Sequence, residues 1–154
     1  MPQFRTKRRV RHAAADMFDL VADMEHYSEF VPLCQSTRLL RRTPGAEGIE
    51  TVVADMTVAY KLIRETFTSR VTLDRPNLQI VVEYLNGPFS RMENRWDFHP
   101  LGERACEIEF FISYQFKSRV LAMLMGAMFD SAFRRFAEAF ERRADTVYGR
   151  VSTS

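Results

Sequence analysis

The segment CEIEFFISYQFKSRVLAMLMGAMFDSAFRRFAEAFERRADTV, from Cys106 to Val147, joins a strand pattern to a helix pattern. Up to Phe116, every second residue is apolar, which is the period of a β-strand with one buried face. From about Arg119 to Val147 there is no proline, and apolar residues recur at helical spacing. The segment therefore predicts a strand with one apolar face, followed by a long amphipathic helix.

The chain before this segment predicts an antiparallel meander. Turn residues separate short apolar runs, and such short connections join antiparallel neighbours. A first helix is expected from Ala13 to about Met24, and a short irregular or helical piece follows as far as Pro32. Strands are predicted over Ser36–Arg42, Gly48–Val58, Tyr60–Val71, Leu78–Leu85, Arg91–Phe98 and Cys106–Phe116.

Together these elements predict an α+β fold. A curved antiparallel sheet of six to seven strands is expected to wrap around the long C-terminal helix, with one or two short helices after the first strand. The 154 residues fit one domain, expected over residues 1–148, with residues 149–154 as a disordered tail.

Composition and charge exclude several classes of protein. The net charge of +2 does not require a nucleic-acid partner, and no apolar run approaches the roughly 20 residues that cross a bilayer. The two cysteines, Cys34 and Cys106, lie far apart without a CxxC pair, so neither a disulfide framework nor a zinc site is indicated. A soluble cytoplasmic protein with reduced thiols and no metal is expected.

Large apolar side chains gather beside the predicted Gly87-Pro88 turn, in the stretch LNGPFSRMENRWDF from Leu85 to Phe98. They either fill a core or line a pocket, because one helix cannot fill a concave sheet along its whole length. A pocket for a small molecule would measure roughly 300 to 1,000 Å³. The candidate lining residues are Phe30, Phe67, Phe89, Met92, Trp96, Phe98, Phe110, Tyr114, Leu121, Met125, Met128 and Phe129.

The N-terminal run FRTKRRVRH is strongly basic. As a strand it would place alternate residues on opposite faces. Its outer face is either an ordinary solvated surface or a cationic patch for anionic lipid headgroups or RNA, whose affinity would fall with added salt. The patch residues are Arg5, Lys7, Arg8, Arg9 and Arg11.

Residues for acid-base catalysis show no recognisable spacing. His12, His26 and His99 are expected at the surface. Glu65 falls among apolar neighbours in its strand, so either a structural salt bridge or a position at an exposed strand end is expected for it. Tyr114 belongs to the apolar face of the last strand. No catalytic residue is predicted.

Four segments resemble the coenzyme Q-binding proteins of the START-like helix-grip superfamily. They are LVADMEHYSEFVPLC, RETFTSRV, LNGPFSRMENRWDF and YQFKSRVLAMLMGAMFDSAFRRFAEAFERRA, in that order. The resemblance implies a START-like domain that binds ubiquinone or a related polyprenyl quinone without converting it, and that supports respiratory electron transport. Bacterial relatives include ribosome association toxins, which implies binding to the large ribosomal subunit.

We therefore expect a non-enzymatic quinone carrier or chaperone that requires no cofactor and contacts the inner face of the membrane peripherally. The alternative is a toxin that binds the large ribosomal subunit and blocks subunit joining. An aromatase or cyclase, as found among helix-grip relatives, is the third hypothesis. The sequence does not determine the oligomeric state.

Overall fold

The computed structural model describes residues 3–149. Of the expected disordered tail, residues 150–154 lie outside the described part of the chain. The strands are β1 (Gln3–Val10), β2 (Cys34–Pro44), β3 (Ile49–Tyr60), β4 (Ile63–Asp74), β5 (Gln79–Asn86), β6 (Phe89–Pro100) and β7 (Cys106–Phe116). The α-helices are α1 (Ala14–Ala22), α2 (Arg119–Arg134) and α3 (Phe136–Tyr148), and short 3₁₀ helices cover Met24–Glu29 and Ala46–Gly48.

The seven strands form one antiparallel sheet in the order β1-β7-β6-β5-β4-β3-β2. β2 to β7 follow one another as a meander, and β1 closes the far side by pairing with β7. The register shifts within β2, between β4 and β5, and at the start of β6. Such bulges bend strands, and the C-terminal helices lie in the resulting concave face. The predicted α+β helix-grip architecture is confirmed.

The concave face of the sheet carries the core. In β7 every second residue from Cys106 to Phe116 is buried, as the alternation predicted. The helices contribute Met125, Phe129 and Phe140, each at most 2% exposed. The boundaries of the strands agree with the predicted ones to within a few residues, because the turn residues between them were identified correctly.

The C-terminal helical segment is not one helix as predicted, because it is interrupted at Arg135. The backbone there has φ −101° and ψ −2°, and the Arg135 N–H donates to the carbonyl of Ala132 at 3.0 Å, which is the tighter pattern of a 3₁₀ turn. No proline or glycine lies at this point. The Phe133 and Phe136 rings meet across this interruption at 5.2 Å between centroids, so the apolar face continues from α2 into α3.

His12 contradicts the prediction that all three histidines lie at the surface. Its side chain is 4% exposed, and its Nε2 lies 2.7 Å from Oδ1 of Asp145 in α3. Beside it, Arg8 of β1 forms an ion pair with Glu141 of α3 at 2.7 Å. Because α3 covers the end of β1, a residue that follows the strand becomes buried. His26 and His99 are exposed, as predicted.

Candidate ligand-binding cavity

An internal cavity of about 90 Å³ lies between the concave face of the sheet and the C-terminal helices. It is bounded by residues from β2 to β7, from α1 and the 3₁₀ helix after it, and from α2 and α3. The lining residues are Val21, Met24, Tyr27, Pro32, Leu33, Thr37, Ala54, Asp55, Met56, Val58, Phe67, Ser69, Val71, Ile80, Val82, Met92, Asn94, Trp96, Ile112, Phe129, Ala132, Phe133, Phe136 and Phe140.

The cavity is smaller than the expected 300 to 1,000 Å³. Aromatic rings account for the difference, because they extend from the helices into the concave sheet. Phe140 approaches Trp96 at 5.1 Å between ring centroids, and Phe129 stacks on Phe133 at 5.5 Å. The helices therefore fill more of the sheet than a smooth cylinder would, and a ligand larger than a few atoms has to displace side chains.

Four of the predicted lining residues border this cavity: Phe67, Met92, Trp96 and Phe129. Met125 and Met128 instead line a small neighbouring pocket of about 10 Å³, together with Phe129, Leu33 and the end of β3. Both pockets are bounded by Leu33, Val58 and Phe129, so they are adjacent.

The other predicted lining residues lie outside the cavity wall, because their side chains meet neighbouring rings instead of a gap. Phe98 packs edge-on against Phe18 of α1, and the Phe110 ring lies 4.6 Å from that of Trp96. Tyr114 packs against Phe133 at 5.2 Å. Phe30 contacts Phe140 from a groove outside α3, Leu121 is half-buried at the start of α2, and Phe89 lies beneath the β5–β6 turn.

The Gly87-Pro88 turn lies beside the cavity. Gly87 has φ +147°, and a Cβ at this position would lie 2.5 Å from the Cβ of Phe67, a lining residue. Only glycine fits this close approach. The following Phe89 is 1% exposed, and its ring contacts Phe67, Tyr84 and Phe129. The residues beside the turn are therefore chiefly core, and they hold the edge of the cavity wall.

Most of the wall comes from residues that the sequence analysis did not select. Several of them were recognisable in part, because Ala54, Met56 and Val58 share one face of β3, and Phe133 and Phe140 belong to the apolar face of the helices. No pattern in the sequence distinguishes inward residues that meet a gap from those that meet another side chain.

Polar groups on the wall are few. Asp55 carries the only charge among the lining residues of the described chain, and its carboxylate accepts a hydrogen bond from Thr68. Asn94 donates to the carbonyl of Phe111 at 2.9 Å. Ser69 is 6% exposed, and its Oγ has no hydrogen-bond partner within residues 3–149. A buried hydroxyl without a hydrogen-bond partner lowers the stability of the fold. Ser69 therefore differs from Asp55 and Asn94, whose side chains are hydrogen-bonded.

Two titratable side chains of the described chain, Asp55 and Tyr27, line the cavity, and each is already hydrogen-bonded to another group of the protein. Burial raises the pKa of the Cys34 and Cys106 thiols to about 11, so neither is a ready thiolate nucleophile. Burial also raises the pKa of the Tyr27 hydroxyl, which donates to the carbonyl of Val21. Within residues 3–149, no His, Lys, Glu or Cys lines the cavity, and no group of three or more His, Cys, Asp or Glu residues is placed to hold a metal ion.

Glu65 lies on the inward side of β4, as its position in the strand predicted, and it is half-buried. Of the two expected placements, a salt bridge is not found among the described residues, and Glu65 instead lies two residues from the start of β4. Its charge contributes to the raised pKa of Tyr84, whose largest cause is burial.

The basic residues of β1 are largely engaged with carboxylates. Arg5 pairs with Glu109 at 3.3 Å, and Arg9 pairs with Glu107 at 3.5 Å. Arg8 faces inward toward α3, whereas Lys7 is exposed. Arg11, just beyond the strand, is also exposed. The outer face of β1 is therefore a mixed-charge surface, in which Lys7 and Arg11 form no salt bridge with the described residues.

Comparison with known proteins gives one family. A model described as polyketide cyclase / dehydrase and lipid transport matches residues 10–141. The chain is similar to the ribosome association toxin RatA of Escherichia coli, with 33% identity over 148 residues, or 96% of this chain and 90% of that protein. It is also similar to the mitochondrial coenzyme Q-binding protein COQ10 homolog B of Xenopus laevis, with 30% identity over 138 residues, or 87% of this chain and 54% of that protein.

Two solved structures share the fold. A START superfamily protein from Mycobacterium smegmatis superposes with a TM-score of 0.77 and 18% identity, covering 94% of this chain and 98% of that one. The Zhui aromatase/cyclase from Streptomyces sp. R1128 superposes with a TM-score of 0.73 and 16% identity, covering 94% of this chain and 93% of that one. At these identities the likeness concerns the fold alone. Within residues 3–149, no helix combines the length and the hydropathy needed to cross a bilayer.

Proposed function

This chain belongs to the START-like polyketide cyclase / dehydrase and lipid transport family, and from this premise we propose that it binds ubiquinone or a related polyprenyl quinone. The ligand occupies the cavity between the sheet and the C-terminal helices and is carried without chemical conversion. The protein thereby acts as a carrier or chaperone that supports respiratory electron transport, in the cytoplasm and at the inner face of the membrane.

The observation that carries this proposal is the apolar wall of the cavity. Aliphatic, aromatic and thioether side chains make up nearly all of it, and its single carboxylate is already hydrogen-bonded. Burial of one five-carbon isoprenoid unit contributes on the order of 3 to 4 kcal/mol by apolar transfer. A few units therefore give useful affinity without any charged contact.

The ligand needs more room than the present 90 Å³, and the wall contains the side chains to provide it. Met24, Met56 and Met92 all line the cavity. Methionine has three rotatable bonds and adapts to irregular shapes at small cost. Rearrangement of these side chains, with movement of the helices away from the sheet, opens space for a quinone ring.

A carrier role is favoured over catalysis by the composition of the wall. General acid-base chemistry needs a proton-transferring group within hydrogen-bond reach of the substrate. His12 is turned toward Asp145, while His26 and His99 lie outside and pair with Asp23 and Glu109. The aromatase/cyclase shares the fold at 16% identity, which does not carry its reaction to this chain.

Trp96 provides a direct test, because it is the only tryptophan of the chain and it lines the cavity. Decylubiquinone is titrated into the protein in mild detergent while the tryptophan fluorescence is recorded, with N-acetyltryptophanamide in the same detergent as the control for collisional quenching. Saturable quenching at one quinone per protein is expected. Quenching that rises linearly and equals that of the free amide would contradict quinone binding.

Organic extraction of protein purified from its own host complements the titration. A polyprenyl quinone at near-stoichiometric amount in the extract, and the corresponding mass in native mass spectrometry, are expected. If a different apolar molecule is found in the same amount, the protein is still a carrier, but its ligand is that molecule and not a quinone.

A second candidate function follows from the similarity to the ribosome association toxin. That protein is 33% identical to this chain across 90% of its own length, and its name states an association with ribosomes. On this alternative, the chain binds the large ribosomal subunit and blocks subunit joining. Contacts to RNA phosphates would depend on exposed cations, of which Lys7 and Arg11 are the candidates in the basic N-terminal run.

Co-sedimentation with purified large ribosomal subunits tests the alternative. Binding that weakens steeply with salt, and that is lost in a Lys7→Gln/Arg11→Gln variant, would support it. That variant leaves the cavity untouched, so quinone binding in detergent should remain. The two functions are thus separable in one set of proteins.

A further inference from the structure

One end of the sheet combines the β3–β4 turn, the β5–β6 turn and the start of α2. The strands alternate in direction, so these connections lie at the same end. The Lys117 N–H donates to the Pro88 carbonyl at 2.9 Å, which ties two of them together. Tyr60 and Ile63, on either side of the β3–β4 turn, share a small pocket with Met125 and Met128 of α2.

This end exposes large apolar side chains to an unusual degree. Leu62 is 102% exposed and Met123 is 84% exposed. Six of the ten exposed large apolar residues within residues 3–149 belong to it. We call this set, with the cations Lys61, Arg64, Lys117 and Arg119, the tip surface; its apolar members are Tyr60, Leu62, Leu85, Val120, Met123 and Leu124.

The first half of α2 is apolar on both sides. Leu121 and Met125 face the sheet, while Val120 and Leu124 face outward at 64% and 56% exposure. A helix that is apolar all round is normally buried on all sides. An exposed patch of this kind indicates a surface that is covered in use.

The charges of the tip surface favour one partner. Lys61, Arg64, Lys117 and Arg119 are all exposed, and none forms a salt bridge with the described residues. Glu65 is the neighbouring carboxylate, and it is half-buried on the inward side of β4. Protruding apolar side chains that have exposed cations as sequence neighbours are complementary to acyl chains beneath anionic phosphates.

We propose that the tip surface docks onto an anionic phospholipid bilayer, with Leu62 and Met123 among the acyl chains and Lys61 and Lys117 at the headgroup phosphates. RNA would use the cations but would gain nothing from exposed aliphatic side chains. The inference goes beyond quinone binding, because docking does not depend on which ligand is loaded. The surface adjoins the small pocket next to the cavity, so docking would bring this side of the cavity wall close to the bilayer.

Vesicle flotation tests the docking surface. Vesicles of phosphatidylcholine, with and without phosphatidylglycerol, are mixed with the wild type and with a Leu62→Ser/Met123→Ser variant. Both substituted side chains are exposed, so the fold is unaffected. The matched control is Leu101→Ser, a 50% exposed leucine in the β6–β7 turn at the opposite end. We expect the double variant to lose at least tenfold in partitioning into the vesicles that contain phosphatidylglycerol, and the control to match the wild type.

A charge-neutralised pair isolates the electrostatic contribution. Lys61→Gln/Lys117→Gln should reduce binding to anionic vesicles by about fivefold per lysine, and this loss should vanish at high salt. Arg104→Gln, in the same turn as Leu101, is the control. Equal binding to vesicles with and without phosphatidylglycerol would overturn the assignment of the cations.

Two results would overturn the docking proposal as a whole. One is unchanged flotation of the Leu62→Ser/Met123→Ser variant. The other is that the wild type co-sediments with large ribosomal subunits and this variant does not. The tip surface would then be a ribosome-binding surface. Quinone binding in detergent is read separately through Trp96 and should persist in the variant. Absence of quenching in the wild type would refute the proposed ligand and leave the docking result standing.

Discussion

Ser69 is the residue at which folding and ligand binding place opposite demands on one side chain. Its buried Oγ has no partner within residues 3–149, which costs about 1 to 3 kcal/mol relative to a satisfied hydroxyl. A quinone carbonyl in the cavity would supply the missing acceptor. Ser69→Ala should therefore raise the free energy of unfolding by about 1 kcal/mol and weaken decylubiquinone binding by about fivefold.

Urea unfolding and Trp96 quenching measure these two effects. Ser90→Ala is the control, because Ser90 is exposed and its hydroxyl donates to the Gln115 carbonyl at 3.3 Å outside the cavity. It should change neither quantity appreciably. If Ser69→Ala is destabilising and leaves quinone affinity unchanged, Ser69 has a structural role and does not contact the ligand.

At the scale of elements, strand alternation and turn residues were sufficient to predict the sheet. All six residues that the alternation from Cys106 to Phe116 assigns to the inner face are buried, because that face packs on the helices. Ser113 is the exception on the outer face, because it is buried as well. The interruption at Arg135 was not predictable, since it depends on the shape of the sheet that the helices cover. His12 became buried for a similar reason, because α3 lies across the end of β1.

The cavity was predictable only in part. Alternation identifies Met92 and Trp96 as inward, and both line the gap. It identifies Phe98 and Phe110 as inward equally well, yet these rings meet Phe18 and Trp96. A cavity is a local mismatch between two packed surfaces, so its position depends on three-dimensional shape, which periodicity does not contain.

The β5–β6 turn gives an element-scale prediction. In Gly87→Ala, the new Cβ would lie 2.5 Å from the Phe67 Cβ and 2.9 Å from its Cα, so the turn has to move away from β4. We expect a loss of about 2 to 4 kcal/mol in the free energy of unfolding, together with weaker quinone binding because Phe67 lines the cavity.

Gly102→Ala is the matched control for that substitution. Gly102 also has a positive φ, +133°, but a Cβ there meets nothing within 4 Å. Gly102→Ala therefore introduces backbone strain without a steric clash. It should lower the free energy of unfolding by about 1 to 3 kcal/mol and leave quinone binding normal. Equal losses for the two variants in urea unfolding would show that the contact with Phe67 contributes nothing.

At the scale of the whole molecule, the cavity and the tip surface are predicted to act separately. Val82 and Val81 are adjacent in β5, and only Val82 lines the cavity, while Val81 lies on the other face of the strand. In Val82→Phe the added ring occupies space that a quinone would need. We expect at least a tenfold loss of quinone binding and a change in stability of less than about 1 kcal/mol, because the ring fills existing volume.

Val81→Phe adds the same ring to the opposite face of the sheet and should leave quinone binding at the wild-type level. Both variants should float with vesicles that contain phosphatidylglycerol as the wild type does, because neither residue belongs to the tip surface. Docking that falls together with quinone binding in Val82→Phe would instead mean that the loaded form is the one that recognises the membrane. If the Val82→Phe variant binds quinone as the wild type does, the quinone site lies outside this cavity, because a cavity filled by the Phe ring cannot hold the ligand.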